Sequence, residues 1–448
     1  NPWPLWPWVD LVLAGEAEAQ WPQLLSAWRA ISSSVLSKTE RLRHLARNTP
    51  GALLPGTPEK ALAAPGRGVR TVIMSPGEAG RPPDEESGIS PASALRPAVL
   101  AWPPPLDLLP PVSPIVSPQA EFSGARLVEI SRGCPHGCRF CLTGALFRPH
   151  RPWPLQAILE ALGTPAAEKV GLVSPAAAEH PDLSELLAEL FRQGRTVTLS
   201  SLRLTALTPA LAEKLAVGRL RGVAVAPEAG SQALRDRLNK DLTEAQILAG
   251  VRLLSEAGLK TIKLYFILGL PGETQADLAA LAELAREIRR AAGPRPALVL
   301  SLANFTPKPH TPLEGAAMNT AEELKRKGAW VVKALKGVPG LKVNLDPPLW
   351  SVTQGLLARG GPESGRLVAA LARYRGRLKP SLAEVGYTPQ HALHQPWPAW
   401  RPRPWRLVRT SAGLKHLTKE EVLAGRGLIT APCPRENNCG RCEACAGL

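Results

Sequence analysis

Strand-like and helix-like segments alternate strictly between residues 127 and 335, and this alternation restricts the fold more than any other feature of the sequence. Six strand–helix pairs are predicted. Their strands are expected at 127–131, 169–174, 196–203, 222–226, 261–268 and 297–302, and their helices at 154–162, 183–192, 209–216, 243–257, 275–291 and 320–335. Such repetition predicts an α/β fold with a parallel sheet, outer helices and right-handed crossovers. Functional residues of such folds lie at the carboxyl ends of the strands.

The first predicted strand runs into three cysteines, Cys134, Cys138 and Cys141, which are spaced C-x3-C-x2-C. Three such thiolates can hold three corners of a four-iron cluster, which leaves the fourth iron open to a small molecule. Clusters that only carry electrons are normally held by four cysteines, so this set indicates a cluster that does chemistry. A zinc site is the competing interpretation, but structural zinc takes four ligands and only His136 stands nearby as a fourth.

This spacing, with an aromatic residue, Phe140, directly before the last cysteine, resembles the signature of the radical SAM superfamily. The resemblance implies a partial (βα)6 barrel and a [4Fe-4S] cluster on the three cysteines, with S-adenosylmethionine on the open iron. In that superfamily the reduced cluster passes one electron to the sulfonium, and the resulting 5′-deoxyadenosyl radical abstracts a substrate hydrogen. The resemblance assigns Phe140 to the cofactor site, and it implies an electron donor such as ferredoxin or flavodoxin.

The resemblance also places S-adenosylmethionine contacts at the ends of the second and third strands. Residues 174–182 occupy the place of the family's Gly-Gly-Glu segment, but the glycines and the acid are not in place here. The contact to the amino group is therefore expected from backbone carbonyls near Ser174. Ser200 and Arg203 end the third strand, and Arg203 is expected to pair with the carboxylate of S-adenosylmethionine.

Further contacts are implied at the ends of the fourth and fifth strands. Glu228 is assigned to the ribose hydroxyls or to the amino group. Ile267, Gly269 and Leu270 are assigned to the adenine, where a glycine permits close backbone approach. A structural ion pair between Arg203 and Glu228 is the competing interpretation of those two residues.

A narrower resemblance covers residues 9–355. The segments that carry it are 127–135, 226–231, 263–274 and 305–312, and they resemble radical SAM proteins with an N-terminal cobalamin-binding-type domain. Residues 10–18 resemble the end of that domain, so the chain, which begins at Asn1 rather than Met, is expected to lack the front part. The family's Asp-x-His-x-x-Gly motif occurs nowhere in the sequence, so cobalamin binding is implied by the resemblance alone.

Four further cysteines close the chain, in the pattern Cys433-x5-Cys439-x2-Cys442-x2-Cys445. The overlapping C-x2-C-x2-C run favours an auxiliary [4Fe-4S] cluster, because zinc ribbons use two separated C-x2-C pairs. Zinc remains the alternative metal. The alternative role is a structural one, in which the bound metal stabilises the fold of the basic tail. All seven cysteines belong to these two groups, which indicates metal binding in a reducing cytosol rather than disulfides.

The sequence divides into five predicted regions. They are a remnant of a doubly wound α/β domain at 1–50 with a helix at 17–31, a Pro- and Gly-rich linker at 51–120 with one strand at 70–74, the partial barrel at 121–340, a basic extension at 341–430, and the cysteine tail at 431–448. No run of eighteen apolar residues occurs, so no membrane span is expected and we predict a cytoplasmic protein.

The formal net charge is +16 and the pI is about 9.9. A coding bias towards Ala, Leu, Pro and Arg is the favoured explanation, because the positive residues are spread along the chain, and a polyanionic partner such as tRNA is the alternative. The leading hypothesis is a radical SAM enzyme acting on a large substrate by methyl or methylthio transfer, because a six-unit barrel stays open on one side. The alternative is a tRNA-binding protein whose metal clusters are structural. The basic surface fits that alternative, whereas the three-cysteine site does not.

Overall fold

The computed structural model describes residues 1–54, 109–163, 168–218, 220, 222–408, 410, 412–434 and 442. The strand expected at 70–74 and most of the predicted linker lie outside these residues. Within the part that is described, no helix is both long and apolar enough to cross a membrane.

The N-terminal region consists of two helices enclosed by a short strand pair. Its elements are β1 (Val12–Leu13), α1 (Ala17–Ile31), α2 (Lys38–Asn48) and β2 (Ala52–Leu53). β1 and β2 pair antiparallel. The helix predicted at 17–31 is confirmed. The doubly wound remnant at 1–50 stays a prediction, because a parallel partner for β1 is not found among the described residues.

The following strands build a barrel that is open on one side. They are β3 (Ala125–Glu129), β4 (Ser131–Arg132), β5 (Arg151–Pro152), β6 (Lys169–Val173), β7 (Thr196–Leu199), β8 (Gly222–Glu228), β9 (Thr261–Leu268), β10 (Ala297–Asn304) and β11 (Leu341–Leu345). β3, β6 and β7 form one parallel sheet, and β8 to β11 form another in chain order. A parallel bridge between Leu202 and Val225 joins the two sheets. In the described part, β3 and β11 do not pair with each other.

Helices follow the strands and cover the outside of the barrel. They are α3 (Leu142–Leu146), α4 (Leu155–Leu162), α5 (Leu183–Arg192), α6 (Pro209–Val217), α7 (Gln232–Arg237), α8 (Glu244–Glu256), α9 (Gln275–Ala292) and α10 (Ala321–Ala334). The helices α8, α9 and α10 each begin at a capping box, at Thr243, Thr274 and Thr320, which satisfies backbone N–H groups that a helix leaves unpaired. The predicted (βα)6 barrel is therefore confirmed, and β11 adds a seventh parallel strand from the region predicted as the basic extension.

Strand β9 shows how the barrel core is built. Ile262, Leu264, Phe266 and Leu268 are buried in one cluster with the apolar side chains of α9, whereas the alternate residues stay partly exposed. Because side chains alternate across a strand, the buried set faces the helices and the alternate set faces the barrel interior. The main core therefore lies between sheet and helices, and the interior keeps room for ligands.

The C-terminal region packs against the end of the barrel. Its helices are α11 (Pro348–Arg359), α12 (Glu363–Arg373), α13 (Leu378–Val385), α14 (Pro389–Ala392) and α15 (Leu414–Gly425). The first residues of the chain dock here: the side-chain amide of Asn1 donates to the carbonyls of Leu357, Ala358 and Gly360 at 2.9–3.1 Å. Trp3 donates its indole N–H to the carbonyl of Pro404 at 2.9 Å. The first residues of the chain therefore pack against the end of α11 and against the segment around Pro404.

A buried carboxylate, Glu314, joins the loop after β10 to this C-terminal region. It accepts hydrogen bonds from the backbone N–H of His310 at 2.8 Å, from the indole of Trp405 at 2.7 Å and from Arg406 at 2.7 Å. Burial lowers the pKa of His310 to about 4, so its imidazole stays neutral near pH 7. Trp405 in turn stacks on Trp397 with ring centroids 5.4 Å apart.

The low pKa of His310 predicts a loss of stability in weak acid. Between pH 6.5 and pH 4, His310 is protonated in the unfolded chain but stays neutral in the folded protein. The free energy of unfolding therefore falls as the pH falls through that range. Lowering the pH from 7 to 5 should cost the wild type about 2 kcal/mol more than it costs His310→Gln. Urea unfolding of both proteins at the two pH values measures this, and parallel losses would contradict it.

Close backbone packing at Gly230 predicts a second effect on stability. A Cβ at this position would lie 2.1 Å from the backbone N of Leu281, so Gly230→Ala should force the α9 backbone to move. We expect a loss of roughly 1–3 kcal/mol in urea unfolding. Gly425→Ala is the matched control, since nothing lies within 4 Å of its Cβ position, and it should not destabilise the protein.

Candidate active site

The three cysteines lie on a loop that leaves the barrel after β3 and is closed by a short stem. Residues 133–150, which we term the cysteine loop, are enclosed by β4 and β5, whose residues pair antiparallel. Gly133 opens the loop at a φ of 79°, and a Cβ there would lie 1.9 Å from the carbonyl oxygen of Phe147. Only glycine fits this position. The Cys141 N–H donates to the Cys138 carbonyl at 3.0 Å, which turns the chain between the last two cysteines.

The stem is fixed by buried charges that the sequence did not reveal. Arg132 binds Glu129 at 2.6 Å, Glu18 at 2.7 Å and Glu16 at 3.1 Å. Arg151, opposite it in the stem, also binds Glu16 at 2.9 Å. The hydrogen bond from Arg132 is the main reason that the pKa of Glu18 is lowered. The segment before α1 therefore anchors the stem, because buried charges are stable only when paired.

A second arginine, Arg139, holds the other side of the cysteine loop. Its guanidinium is fully buried and pairs with Glu420 at 3.0 Å. It also donates to the carbonyls of Asp236 at 3.1 Å, Arg237 at 3.0 Å and Leu428 at 2.7 Å. Three parts of the chain therefore converge on one side chain between Cys138 and Cys141.

Ser174 and Ser200, the serines assigned to the cofactor, are in contact with each other, and Ser174 also contacts Ser131 of the stem. The hydroxyls of Ser131 and Ser174 lie 2.6 Å apart, and Ser200 donates to the Ser174 carbonyl at 2.7 Å. The segment 174–182 also supplies Glu179, whose carboxylate lies 2.8 Å from Nε2 of His136 in the cysteine loop. The segment at the place of Gly-Gly-Glu therefore contacts the cysteine loop through Glu179.

Arg203, Glu228 and an unpredicted lysine, Lys240, form a charged group beside the cysteines. Lys240 pairs with Glu228 at 2.9 Å, and Arg203 donates to the backbone carbonyls of Lys240 and Asp241, the latter at 2.9 Å. The alternative of an Arg203–Glu228 ion pair is therefore not what the structure shows. Burial acts to lower the pKa of Lys240, but the charge of Glu228 and the hydrogen bond to it leave the pKa raised.

The same cations, Arg203 and Lys240, also affect the pKa values of the cysteine thiols. Burial raises the pKa of Cys134 to about 12, and burial also raises the pKa of Cys138. Arg203 opposes the rise at both thiols, and Lys240 opposes it at Cys138. The cysteines, Arg203, Lys240 and Glu228 therefore share one site at the carboxyl ends of the strands. A metal would have to displace protons that burial holds on these thiols.

The backbone around this charged group is strained. Glu228 has a φ of 68°, and Asn239 and Asp241, on either side of Lys240, have φ values of 53° and 47°. Such values are uncommon outside glycine, although Asn and Asp tolerate them best. Asn239 also donates to the Gly137 carbonyl at 3.1 Å, which fixes the turn to the cysteine loop. An Asn-Lys-Asp turn after a short helix is the signal that could have identified Lys240 from sequence.

The residues assigned to adenine meet on an apolar surface next to the loop. Phe140, Ile267 and Leu270 belong to one cluster with Phe305 and Leu238. Gly269 has a φ of 75°, and its N–H donates to Glu273 at 2.9 Å. The aromatic residue before the last cysteine therefore lies with the end of β9.

The tail cysteines are only partly described. Cys439 and Cys445 lie outside the described residues, whereas the Cys433 N–H donates to the carbonyl of Pro135 at 2.8 Å and Cys442 is buried. No three His, Cys, Asp or Glu side chains of the described residues are grouped so that they could hold a metal ion. The metal site at the tail and the cluster on the cysteine loop therefore stay predictions.

Residues 128–285 match the family model described as "Radical SAM superfamily". An uncharacterised protein of Methanocaldococcus jannaschii is 32% identical over 254 residues, which cover 55% of each chain. The tRNA-2-methylthio-N(6)-dimethylallyladenosine synthase of Sorangium cellulosum is 32% identical over 210 residues, 40% of this chain and 42% of that protein. The chain thus spans about half the length of the curated relatives it matches.

Among solved structures, a radical S-adenosylmethionine methyltransferase from Kitasatospora setae, with cobalamin and a [4Fe-4S] cluster bound, is similar at 18% identity. The similarity covers 44% of this chain and 39% of that chain, with a TM-score of 0.37.

The stem contacts predict a strong effect of a substitution far from the cysteines in sequence. Glu16→Ala leaves Arg151 and part of Arg132 without a buried counter-charge, so we expect a loss of about 3–5 kcal/mol in urea unfolding. Asp10→Asn, which removes the exposed ion pair to Lys38, should change stability by no more than about 0.5 kcal/mol. Equal effects of the two variants would contradict the role given to Glu16.

Proposed function

We propose that this protein, in which residues 128–285 form a radical SAM domain, uses the cysteine loop to generate a substrate radical from S-adenosylmethionine. The observation that carries the proposal is the convergence of Cys134 and Cys138 with Arg203, Lys240 and Glu228 at the carboxyl ends of the barrel strands. Three partly buried cysteines beside two cations suit a cluster with one open iron and an anionic ligand on that iron.

The residue types of the cysteine loop suit both cofactors, but the three thiols would have to move together to bind a cluster, because no three His, Cys, Asp or Glu side chains of the described residues are grouped to hold a metal ion. Cys134, Cys138 and Cys141 would hold a [4Fe-4S] cluster, whose chemistry when bound is one-electron cleavage of S-adenosylmethionine. Lys240 would hold the carboxylate of the ligand, and Arg203, which donates to the backbone carbonyls of Lys240 and Asp241, would support it. Both cations already act to lower the pKa of the Cys138 thiol. Glu228, held by Lys240 at 2.9 Å, would accept a hydrogen bond from the amino group or the ribose.

The apolar surface next to the loop would orient the nucleoside. Phe140 and Ile267, which are partly exposed and pack on the buried Leu270, would give adenine an apolar contact, and Gly269 would let the backbone approach it closely. The loop is closed on the other side by α15 and Arg139. Excluding water on that side would protect a radical from quenching. In such reactions the cofactors supply the chemistry, and the protein orients the reactants and keeps water out.

For the substrate, we propose methyl or methylthio transfer to a large molecule, with tRNA as the leading class. Support comes from the relative in Sorangium cellulosum, which is named as a tRNA-2-methylthio-N(6)-dimethylallyladenosine synthase, and from the net charge of +16. Among the described residues β3 and β11 do not pair, and residues 111–113 run antiparallel along β3 at this edge, so the barrel wall has a gap that suits a bulky substrate. The same charge supports the alternative of a tRNA-binding protein with structural clusters.

Additional cofactors are proposed from sequence. The four tail cysteines would hold a second [4Fe-4S] cluster, or zinc, and the Cys433 backbone already contacts the cysteine loop at Pro135. Cobalamin would suit methyl transfer, but without an Asp-x-His-x-x-Gly motif we assign no cobalamin ligand to this chain. The cytoplasm is the proposed location, since such clusters need reducing conditions.

The proposal predicts S-adenosylmethionine cleavage that depends on the loop cysteines. After anaerobic reconstitution and reduction with dithionite, the wild type should convert S-adenosylmethionine to 5′-deoxyadenosine, as measured by chromatography and mass spectrometry. Cys134→Ala should abolish product and lose about four irons, whereas Cys442→Ala should keep the cleavage. Absence of 5′-deoxyadenosine from the reduced, iron-loaded wild type would favour the tRNA-binding alternative.

The assignment of Lys240 predicts a specific loss of ligand affinity. Lys240→Met removes a charge-assisted hydrogen bond worth about 1.5–3 kcal/mol, so the Kd for S-adenosylmethionine should rise by roughly 10- to 100-fold. Lys240→Arg should recover part of that loss because it keeps the charge. Lys260→Met, an exposed lysine at the opposite end of β9, is the matched control and should bind as the wild type does. Unchanged binding by Lys240→Met in equilibrium dialysis would contradict the assignment.

A further inference from the structure

The helix α15 lies directly against the cysteine loop. Its inward residues Leu417, Glu420 and Ala424 are buried. Glu420 pairs with Arg139 between the cysteines, and His416, Leu417 and Glu420 line the same small crevice as Cys138 and Cys141. An α-helix with its side chains is about 10–12 Å across, so the outer surface of α15 lies roughly one helix diameter from these two cysteines.

The outward side of α15 has an unusual composition. Together with the turn that follows, it exposes cations next to large apolar side chains. We term this set the α15 outer face, and it consists of Lys415, Lys419, Val422, Arg426, Leu428 and Ile429. Residues 415, 419, 422 and 426 recur every three or four positions, which places them on one stripe of the helix.

The cations of this face are not neutralised within the described part of the chain. No carboxylate there forms an ion pair with Lys415, Lys419 or Arg426. The acid on the neighbouring helical position, Glu421, has an oxygen beside Gly315, next to the guanidinium of Arg403. The outer face therefore keeps a net positive field.

The apolar part of the face is held in place rather than free to fold inward. Val422, Leu428 and Ile429 each keep about half of their surface exposed, at 50%, 50% and 51%. Arg139 binds the Leu428 carbonyl at 2.7 Å, so the guanidinium next to the cysteines also fixes this turn. Half-exposed large apolar side chains close to cations that are unpaired in the described part of the chain suit a protein interaction site.

We propose that the α15 outer face is the docking surface for an acidic one-electron carrier protein that reduces the cluster on the cysteine loop. This inference rests on the proposed function. One electron passes from the reduced carrier to the oxidised cluster, so the carrier is oxidised by one electron, the cluster is reduced by one, and no bond forms or breaks. Transient redox complexes bury little surface and rely on electrostatic steering, which suits three cations around a small apolar patch.

The test uses the iron-loaded full chain with flavodoxin as an acidic carrier. Lys415→Glu combined with Lys419→Glu reverses two charges on the outer face, and Lys325→Glu combined with Lys333→Glu makes the same change on exposed positions of α10. Two quantities are measured at low salt: the second-order rate of cluster reduction by flavodoxin hydroquinone, and the Kd for oxidised flavodoxin by calorimetry. Reduction by dithionite is followed in parallel.

We expect the α15 double variant to slow reduction by flavodoxin at least tenfold and to weaken flavodoxin binding similarly. Dithionite reduction should be unchanged, and added salt should shrink the difference because it screens the charges. The α10 variant should match the wild type. Arg426→Glu alone, which changes a residue after the helix, should give a smaller loss in the same direction and guards against a folding defect in the double variant.

Several results would overturn the inference. It fails if flavodoxin does not bind the wild type, if the α10 and α15 variants behave alike, or if dithionite reduction falls as much as flavodoxin reduction. It also fails if the α15 variant loses only tRNA affinity. Failure of the proposed function is distinguishable, because in that case the dithionite-reduced wild type makes no 5′-deoxyadenosine.

Discussion

The buried guanidinium of Arg139 is the interaction on which the arrangement of the site depends. It lies between Cys138 and Cys141 and can be buried only because Glu420 and several backbone carbonyls satisfy its donors. Those partners come from the end of α7, from α15 and from the turn after α15. One side chain therefore couples the conformation of the cysteine loop to the C-terminal region, almost three hundred residues away in sequence.

The opposite side of the loop follows the same principle. Arg132 and Arg151 in the stem are neutralised by Glu16 and Glu18 from the segment before α1, so both ends of the chain help to shape the cysteine loop. Between these two anchors, Lys240 and Glu228 form a buried pair that a bound anion could share. The barrel supplies strand ends, whereas the flanking regions supply the charges that hold the loop against them.

Much of this site could be predicted from sequence because it rests on local patterns. The strand–helix periodicity located the barrel, and strand ends placed Ser174, Ser200, Arg203 and Glu228 in one region. The contacts of Glu16, Arg139 and Glu420 could not be predicted, since each joins residues that are distant along the chain and only the folded core brings together. Lys240 was missed because it follows a helix rather than a strand, and its position depends on left-handed backbone at Asn239 and Asp241.

The central claim is that the cysteine loop holds a cluster with one iron open to S-adenosylmethionine. The most direct test is electron–nuclear double resonance on the reduced, iron-loaded protein with S-adenosylmethionine labelled with 15N in the amino group and 17O in the carboxylate. We predict hyperfine coupling from both nuclei to the cluster, and a weaker coupling at the carboxylate in Lys240→Met. A cluster spectrum unchanged by the labelled ligand would contradict it.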